Sequence, residues 1–161
     1  MQTVRGGRVS RIKEVRLKPI GYVQRADKQE DVKDKSLVSK IVVDRKLTKA
    51  LDGVEDFSHV FVVFWMHQVP NEETKILKVH PRGRRDLPLL GVFATRTAFR
   101  PNPIGLTLVE LLKRERNVLT VRGLDAYDGT LVLDLKPFNQ DDVTVDAKVP
   151  EWHRKLEEKQ L

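Results

Sequence analysis

The chain has 161 residues and a mass of 18.6 kDa, 40% hydrophobic and 33% charged; that suffices for one globular domain with one sizeable core and excludes a disordered chain. Cysteine is absent, which removes disulfides, thiolate zinc sites and cysteine nucleophiles, and no apolar run approaches the roughly 18 residues of a membrane span. A net charge of +7 and a pI of about 9.7 suit a polyanionic partner, although a heat-adapted, charge-rich proteome gives the same balance.

Residues 1–14 read as a basic arm without the apolar core of a signal peptide, so a cytoplasmic location is expected. Val15 to Val23 alternates loosely and holds Pro19 and Gly21, as in an edge or kinked strand. Arg25 to Lys35 is a long charge-mixed loop. Val38 to Val43 is a strand, and Leu47 to Val54 makes about two helical turns ending near Gly53. Phe57 to Gln68 is the most apolar piece and is expected as a central strand buried on both faces, emerging at His67 and Gln68. Lys75 to His80 is a short strand, followed by the basic loop HPRGRRD.

Leu89 to Ala94 reads as a buried strand leading into Thr95 to Pro103, where Pro101 and Pro103 force Arg100 and Asn102 to be extended. Ile104 to Leu112 fits strand alternation better than a helix, which would want a better cap. Val118 to Leu124 and Leu131 to Leu135 are strands separated by a segment with the Asp128-Gly129 turn signal of a tight hairpin. Pro150 to Gln160 is a short helix with Trp152 and Leu156 on one stripe. About eight strands without βαβ alternation predict a mainly β protein, a single-sheet antiparallel β-barrel with short helices.

Four constellations carry polar chemistry. His67 and Gln68 can bond a ligand's polar edge, or His67 can be a satisfied core histidine. Arg96 and Arg100 can each grip a carboxylate or phosphate. Four residues apart on an extended loop, they are expected to point differently and serve different anions; the alternative is internal pairing with Asp86 or Glu110. Asp125, Asp128, Asp134 and Lys136 surround a strand–turn–strand junction and suit a ribose or an amine, while Asp128 and Gly129 are equally explained by the turn. Arg82, Arg84 and Arg85 suit phosphate contact or a solvated loop. Aromatics at 6% argue against a base-stacking surface. No GxGxxG, P-loop or GxSxG motif occurs. His59, His67, His80 and His153 lack metal-ligand spacing, so no metal is expected.

The segment Phe57-Ser58-His59 with its apolar run to His67-Gln68, then GVFATRTAFRPNPIGLTLVEL, then LDAYDGTLVLDLKPF, resembles the TsaA-like family over roughly residues 15–138. Its characterised bacterial members, of TrmO type, methylate tRNA with S-adenosyl-L-methionine. The resemblance implies a domain over 15–138, a tail with a short helix over 139–161, and a homodimer with the site near its interface. It also implies threonylcarbamoyl-adenosine beside the anticodon as the base methylated, on its exocyclic nitrogen. The implied cofactor contacts are His67, Gln68, Arg96, Leu106, Leu124, Asp125, Ala126 and Tyr127, with a less certain alignment around Asp34 to Ser36. Asn102, Asp134 and Lys136 would be catalytic, Asp134 taking the proton; Arg100, Arg82, Arg84 and Arg85 would face the RNA. The chain departs from the family pattern at Leu131, where proline is usual, at Phe138, where tyrosine is frequent, and in having only a short helix where bacterial relatives carry a long extension. A non-catalytic cofactor- or RNA-binding barrel, or a methyltransferase of another acceptor, are the competing readings.

Overall fold

The computed structural model describes residues 14–26 and 32–157. Its strands are β1 (Gly21–Gln24), β2 (Val38–Val43), β3 (His59–Trp65), β4 (Lys78–Val79), β5 (Leu90–Gly91), β6 (Ile104–Glu115), β7 (Val118–Arg122) and β8 (Leu131–Pro137), followed by helix α1 (Glu151–Glu157). Six of them close an antiparallel barrel in the order β1-β2-β7-β6-β3-β8, and β4 and β5 form a separate ribbon. Closure leaves no open edge.

Period-two alternation builds the interior. Val23, Ile41, Val43, Val60, Val62, Phe64, Val109, Leu119, Val121 and Val132 point inward and are buried. Each buried aliphatic contributes about 1.5–3 kcal/mol relative to exposure. β3 is central, between β6 and β8, but it is not buried on both faces. Only Val60, Val62 and Phe64 are buried, and Phe61, Val63 and Trp65 lie half-buried on the outside. An antiparallel barrel without covering helices has one dry face.

Several expectations need correction. β1 starts at Gly21 instead of Val15, after Pro19 has kept the chain off the sheet. Leu89 to Ala94 is no buried strand: a two-residue strand runs into a 3-10 turn over Val92–Ala94, and Leu89 and Phe93 are exposed. Residues 45–51 and 54–56 form 3-10 turns in place of two α-helical ones. β7 and β8 do not form a hairpin. β7 pairs with β2 and β6, β8 pairs with β1 and β3, so residues 123–130 cross the barrel mouth. The turn chemistry at 128–129 is still used: Gly129 has φ 74 and its N–H donates to Val23 O at 2.8 Å. The basic arm and the end of the C-terminal helix past Glu157 lie outside the described residues.

The strand directions bring the end of β1, the start of β2 and the connections 66–103 and 123–130 to one end of the barrel. Leu124 and Ala126 plug that end as part of the core. At the same end, Gly105 on β6 lets the Phe64 ring lie flat: a Cβ there would stand 2.3 Å from two ring carbons. Gly105→Ala is expected to destabilise the chain by about 1–3 kcal/mol through overpacking, read as a lower urea midpoint with unchanged m-value; an unchanged midpoint would refute the contact.

Candidate active site

Each group at the mouth is held by a specific neighbour. The Arg25 side chain is buried, and its Nη1 donates to Leu124 O at 2.8 Å and Ala126 O at 3.3 Å. The Arg25 N–H donates to Asp128 Oδ1 at 2.8 Å. Asp125 accepts a hydrogen bond from Thr107 Oγ1 and pairs with Lys35 Nζ at 3.3 Å, while Lys35 also donates to Gly123 O at 3.0 Å. Lys35 thus brings the 34–36 segment onto the crossing strip. Arg25 was not among the predicted site residues. It opens a charged loop, and nothing in one dimension tells a solvated arginine from one that closes a barrel.

Beside the strip lies a cleft of about 340 Å³, lined by Phe64, Met66, Arg96, Arg100, Leu106 and Asp125 together with Thr95, Ile104, Gly105 and Thr107. Arg96 and Asp125, far apart in sequence, therefore share one hollow. Arg96 and Arg100 both line it, and Arg96 also lines a neighbouring hollow. Neither guanidinium meets a carboxylate among the described residues. The two acids weighed as partners are taken: Asp86 by Arg84 at 2.6 Å and Glu110 by Arg122 at 2.7 Å. Arg100 donates weakly to Thr97 O at 3.4 Å and lies 6.0 Å from the Phe93 ring centroid.

His67 has left β3 and stands in the following turn, its Nδ1 3.3 Å from the hydroxyl of buried Thr130. Gln68 is exposed in the same turn and Tyr127 half-buried on the strip. Asn102 is exposed, its carbonyl accepting from Ile104 N at 2.7 Å. Asp134 and Lys136 do not line the cleft. They pair with each other at 2.8 Å on the outer face of β8, and that hydrogen bond raises the Lys136 pKa above the ordinary lysine value. Asp134 stands opposite Val63, which stands opposite Leu106, so two strand spacings, about 10 Å, separate it from the cleft rim.

The basic loop is partly committed inside the molecule. Arg82 Nη1 donates to Leu156 O at 3.0 Å and Arg84 Nη1 to Lys155 O at 2.9 Å, tying the loop to α1. The Arg84 hydrogen bond holds the Asp86 carboxyl below the ordinary aspartate value. That pair is complete at neutral pH and is lost only as pH falls through the lowered pKa. Arg85 is exposed.

The cleft fits a nucleoside joined to an amino acid. Phe64, Ile104, Leu106 and Met66 offer apolar wall to a base and a thioether-like centre, Asp125 offers an acceptor to a ribose, and two arginines await a carboxylate. Residues 23–143 match the family model described as the tRNA-methyltransferase O N-terminal domain. A probable S-adenosyl-L-methionine-binding protein of Methanothermobacter thermautotrophicus is 44% identical over 133 residues, 80% of this chain and 93% of that protein. An S-adenosyl-L-methionine-binding protein of Archaeoglobus fulgidus is 38% identical over 128 residues, 76% of this chain and 88% of its own length. Among solved structures, a crystal structure of TrmO superposes with a TM-score of 0.69 at 32% identity over 85% of this chain. The chain spans 64% of that TrmO chain's length. The fold is that of a closed antiparallel β-barrel domain of a methyltransferase family. The chain belongs to the TrmO family.

Arg25→Ala would leave the Leu124 and Ala126 carbonyls buried without their donor, at a cost of about 1.5–3 kcal/mol. Chemical denaturation should report that loss. Stability equal to the parent's would show that the strip is held by something else.

Proposed function

We propose that the protein is an S-adenosyl-L-methionine-dependent methyltransferase acting on tRNA, on the exocyclic nitrogen of threonylcarbamoyl-adenosine. The observation that carries this reading is the pair of arginines, Arg96 and Arg100, left without carboxylates in a cleft that also contains Asp125. The names of the archaeal relatives support the cofactor, and the matching family model supports the acceptor class.

S-adenosyl-L-methionine supplies an electrophilic methyl group on a sulfonium. The chain's own residues supply alignment, and fixing the reacting atoms in line is worth up to about 7–11 kcal/mol. Arg96 binds a carboxylate, Asp125 accepts from a ribose hydroxyl, and the main chain of Leu124 to Tyr127 reads the base. The Leu124 and Ala126 carbonyls are already held by Arg25, so the strip does not have to reorganise when a ligand arrives. Met66 and Leu106 exclude water from the transfer path, and His67 and Gln68 close the outer side. Arg100 and Asn102 orient the acceptor.

The active form is a homodimer through the outer face of β3, β6 and β8. Ile104, Leu106, Leu108 and Leu131 are exposed there, an apolar stripe of the kind that marks association. Ile104 and Leu106 also wall the cleft, so a second copy would shield it from water. Asp134 and Lys136 lie on this face, and they reach a cleft only across such a contact. A proton-accepting role for Asp134 therefore requires the dimer.

Tritium transfer from labelled cofactor to tRNA with and without the threonylcarbamoyl group tests the reaction. Label confined to the modified tRNA is expected. Label on neither would leave a cofactor-binding module, and label on unmodified tRNA another acceptor. Arg96→Ala is expected to lose about 1.5–3 kcal/mol of affinity, tenfold or more, for cofactor or acceptor. Calorimetry with both affinities intact would remove the role. Leu108→Lys, outside the cleft, is expected to convert a dimer to monomers in sedimentation; a parent that sediments as a monomer would sink the dimer proposal.

A further inference from the structure

A second, larger hollow adjoins the cleft. It measures about 930 Å³ and lies between the β4–β5 ribbon, the basic loop and α1. Three of the chain's few aromatics, Phe93, Phe99 and Trp152, line it. Phe93 is 78% exposed, an unfavourable position for a phenyl ring unless something covers it. Among the described residues the lining contains Lys78, Arg82, Arg85 and Arg96 and no carboxylate. The acid next to the loop, Asp86, is turned onto Arg84. Arg82 donates to a neutral carbonyl, Leu156 O, and meets no carboxylate among the described residues. It is also one of two non-glycine residues with positive φ among those described, at φ 52. Such a conformation persists where the surroundings over-determine it, and here it lets the side chain pin the end of α1, the helix that places Trp152 in the groove wall. Thr95 and Arg96 line both hollows, so the groove continues the cleft.

We propose, resting on the methyltransferase reading, that this groove takes an unstacked nucleotide of single-stranded RNA neighbouring the one presented to the cleft. Its base stacks on the Phe93 and Trp152 side chains and its phosphate meets Arg85 and Arg82. Aromatic rings flanked by cations, with no acid among the described lining residues, match a nucleotide's π-face and phosphate together; an acidic peptide would satisfy the cations but offers the rings no base to stack. A base-paired strand keeps its π-faces inside the helix and cannot offer them. The groove therefore selects an open loop, which is where a base must lie to expose its exocyclic nitrogen. Composition alone argues against a stacking surface; folding makes one by gathering distant aromatics.

The test uses the full chain and a short single-stranded oligoadenylate, with a duplex RNA of equal length as control, followed by tryptophan fluorescence. The single strand is expected to quench emission in the parent and in Trp65→Phe, but not in Trp152→Phe. Phe93→Ala and Arg85→Glu are expected to weaken binding tenfold or more while calorimetric affinity for S-adenosyl-L-methionine stays at the parent value, which also reports that both variants fold. Absence of quenching, equal quenching by the duplex, or parent-like affinity in both variants would overturn the proposal. A quench with the expected pattern in a protein that methylates no tRNA would support this site and remove the enzymatic reading alone. Methylation of tRNA without the quench would do the reverse.

Discussion

The buried Arg25 guanidinium is the interaction on which the mouth of the barrel depends. A six-stranded barrel closes its own edges but leaves its ends open, and here the plug is the crossing strip 123–130, which has no strand partner over Leu124 to Tyr127. A peptide segment in that position must have its carbonyls satisfied or be driven out by the cost of desolvation. Arg25 meets two of them with one planar nitrogen-rich group, and its own N–H fixes Asp128 at the far end. A lysine could not span both carbonyls with comparable geometry. The charge is buried beside carbonyl dipoles, so the strip is rigid and its acidic residue, Asp125, is delivered to the cleft already oriented by Thr107 and Lys35.

This arrangement distributes labour between the two ends of the barrel. The far end is closed by Arg114, which hydrogen-bonds Asp52 and Glu55 and three carbonyls, Leu51, Thr48 and Arg116; the hydrogen bond to Asp52 raises its pKa further above the ordinary arginine value. That arginine is saturated and structural. At the mouth the pattern inverts. The acid that shares the cleft, Asp125, is paired with Lys35, and neither Arg96 nor Arg100 meets a carboxylate among the described residues. Reserving them costs little while they stay hydrated, because an exposed guanidinium keeps its water until an anion replaces it.

Much of this architecture is legible in the sequence, for physical reasons that vary by element. β2 is predicted to the residue, as a run rich in β-branched side chains that stops at Asp44. β6 is recognised as a strand because Gly105 and Thr107 alternate with leucines. The crossing strip is misread as a hairpin, since Asp128-Gly129 is the same turn signal whether the next strand pairs with the last one or lies across the barrel; strand order is a non-local property. β3 looks buried on both faces because its outward residues are apolar too, and an apolar outer face has the same composition as a second core face. Of the residues lining the cleft, Arg96 and Asp125 stand in legible polar segments and Leu106 is reached only through the family resemblance, whereas Met66 and Thr107 are ordinary residues until the barrel closes around them. Asp134 and Lys136 stand in a motif as prominent as any, yet the pleat sends them to the outer face.

The outward side chains of β3 and β6 connect these observations. An exposed apolar stripe is the surface through which the proposed dimer would form. Its upper members, Ile104 and Leu106, are also cleft wall. In the proposed dimer, covering the stripe and drying the cleft would be one event: association would lower the local dielectric around Arg96 and Arg100 and strengthen their hold on an anion. With the core filled by Val60, Val62, Phe64 and Val109, the cleft lies at the rim, where Ile104 and Leu106 form part of its wall. The apolar stripe outside and the uncompensated arginines at the mouth thus answer the same constraint.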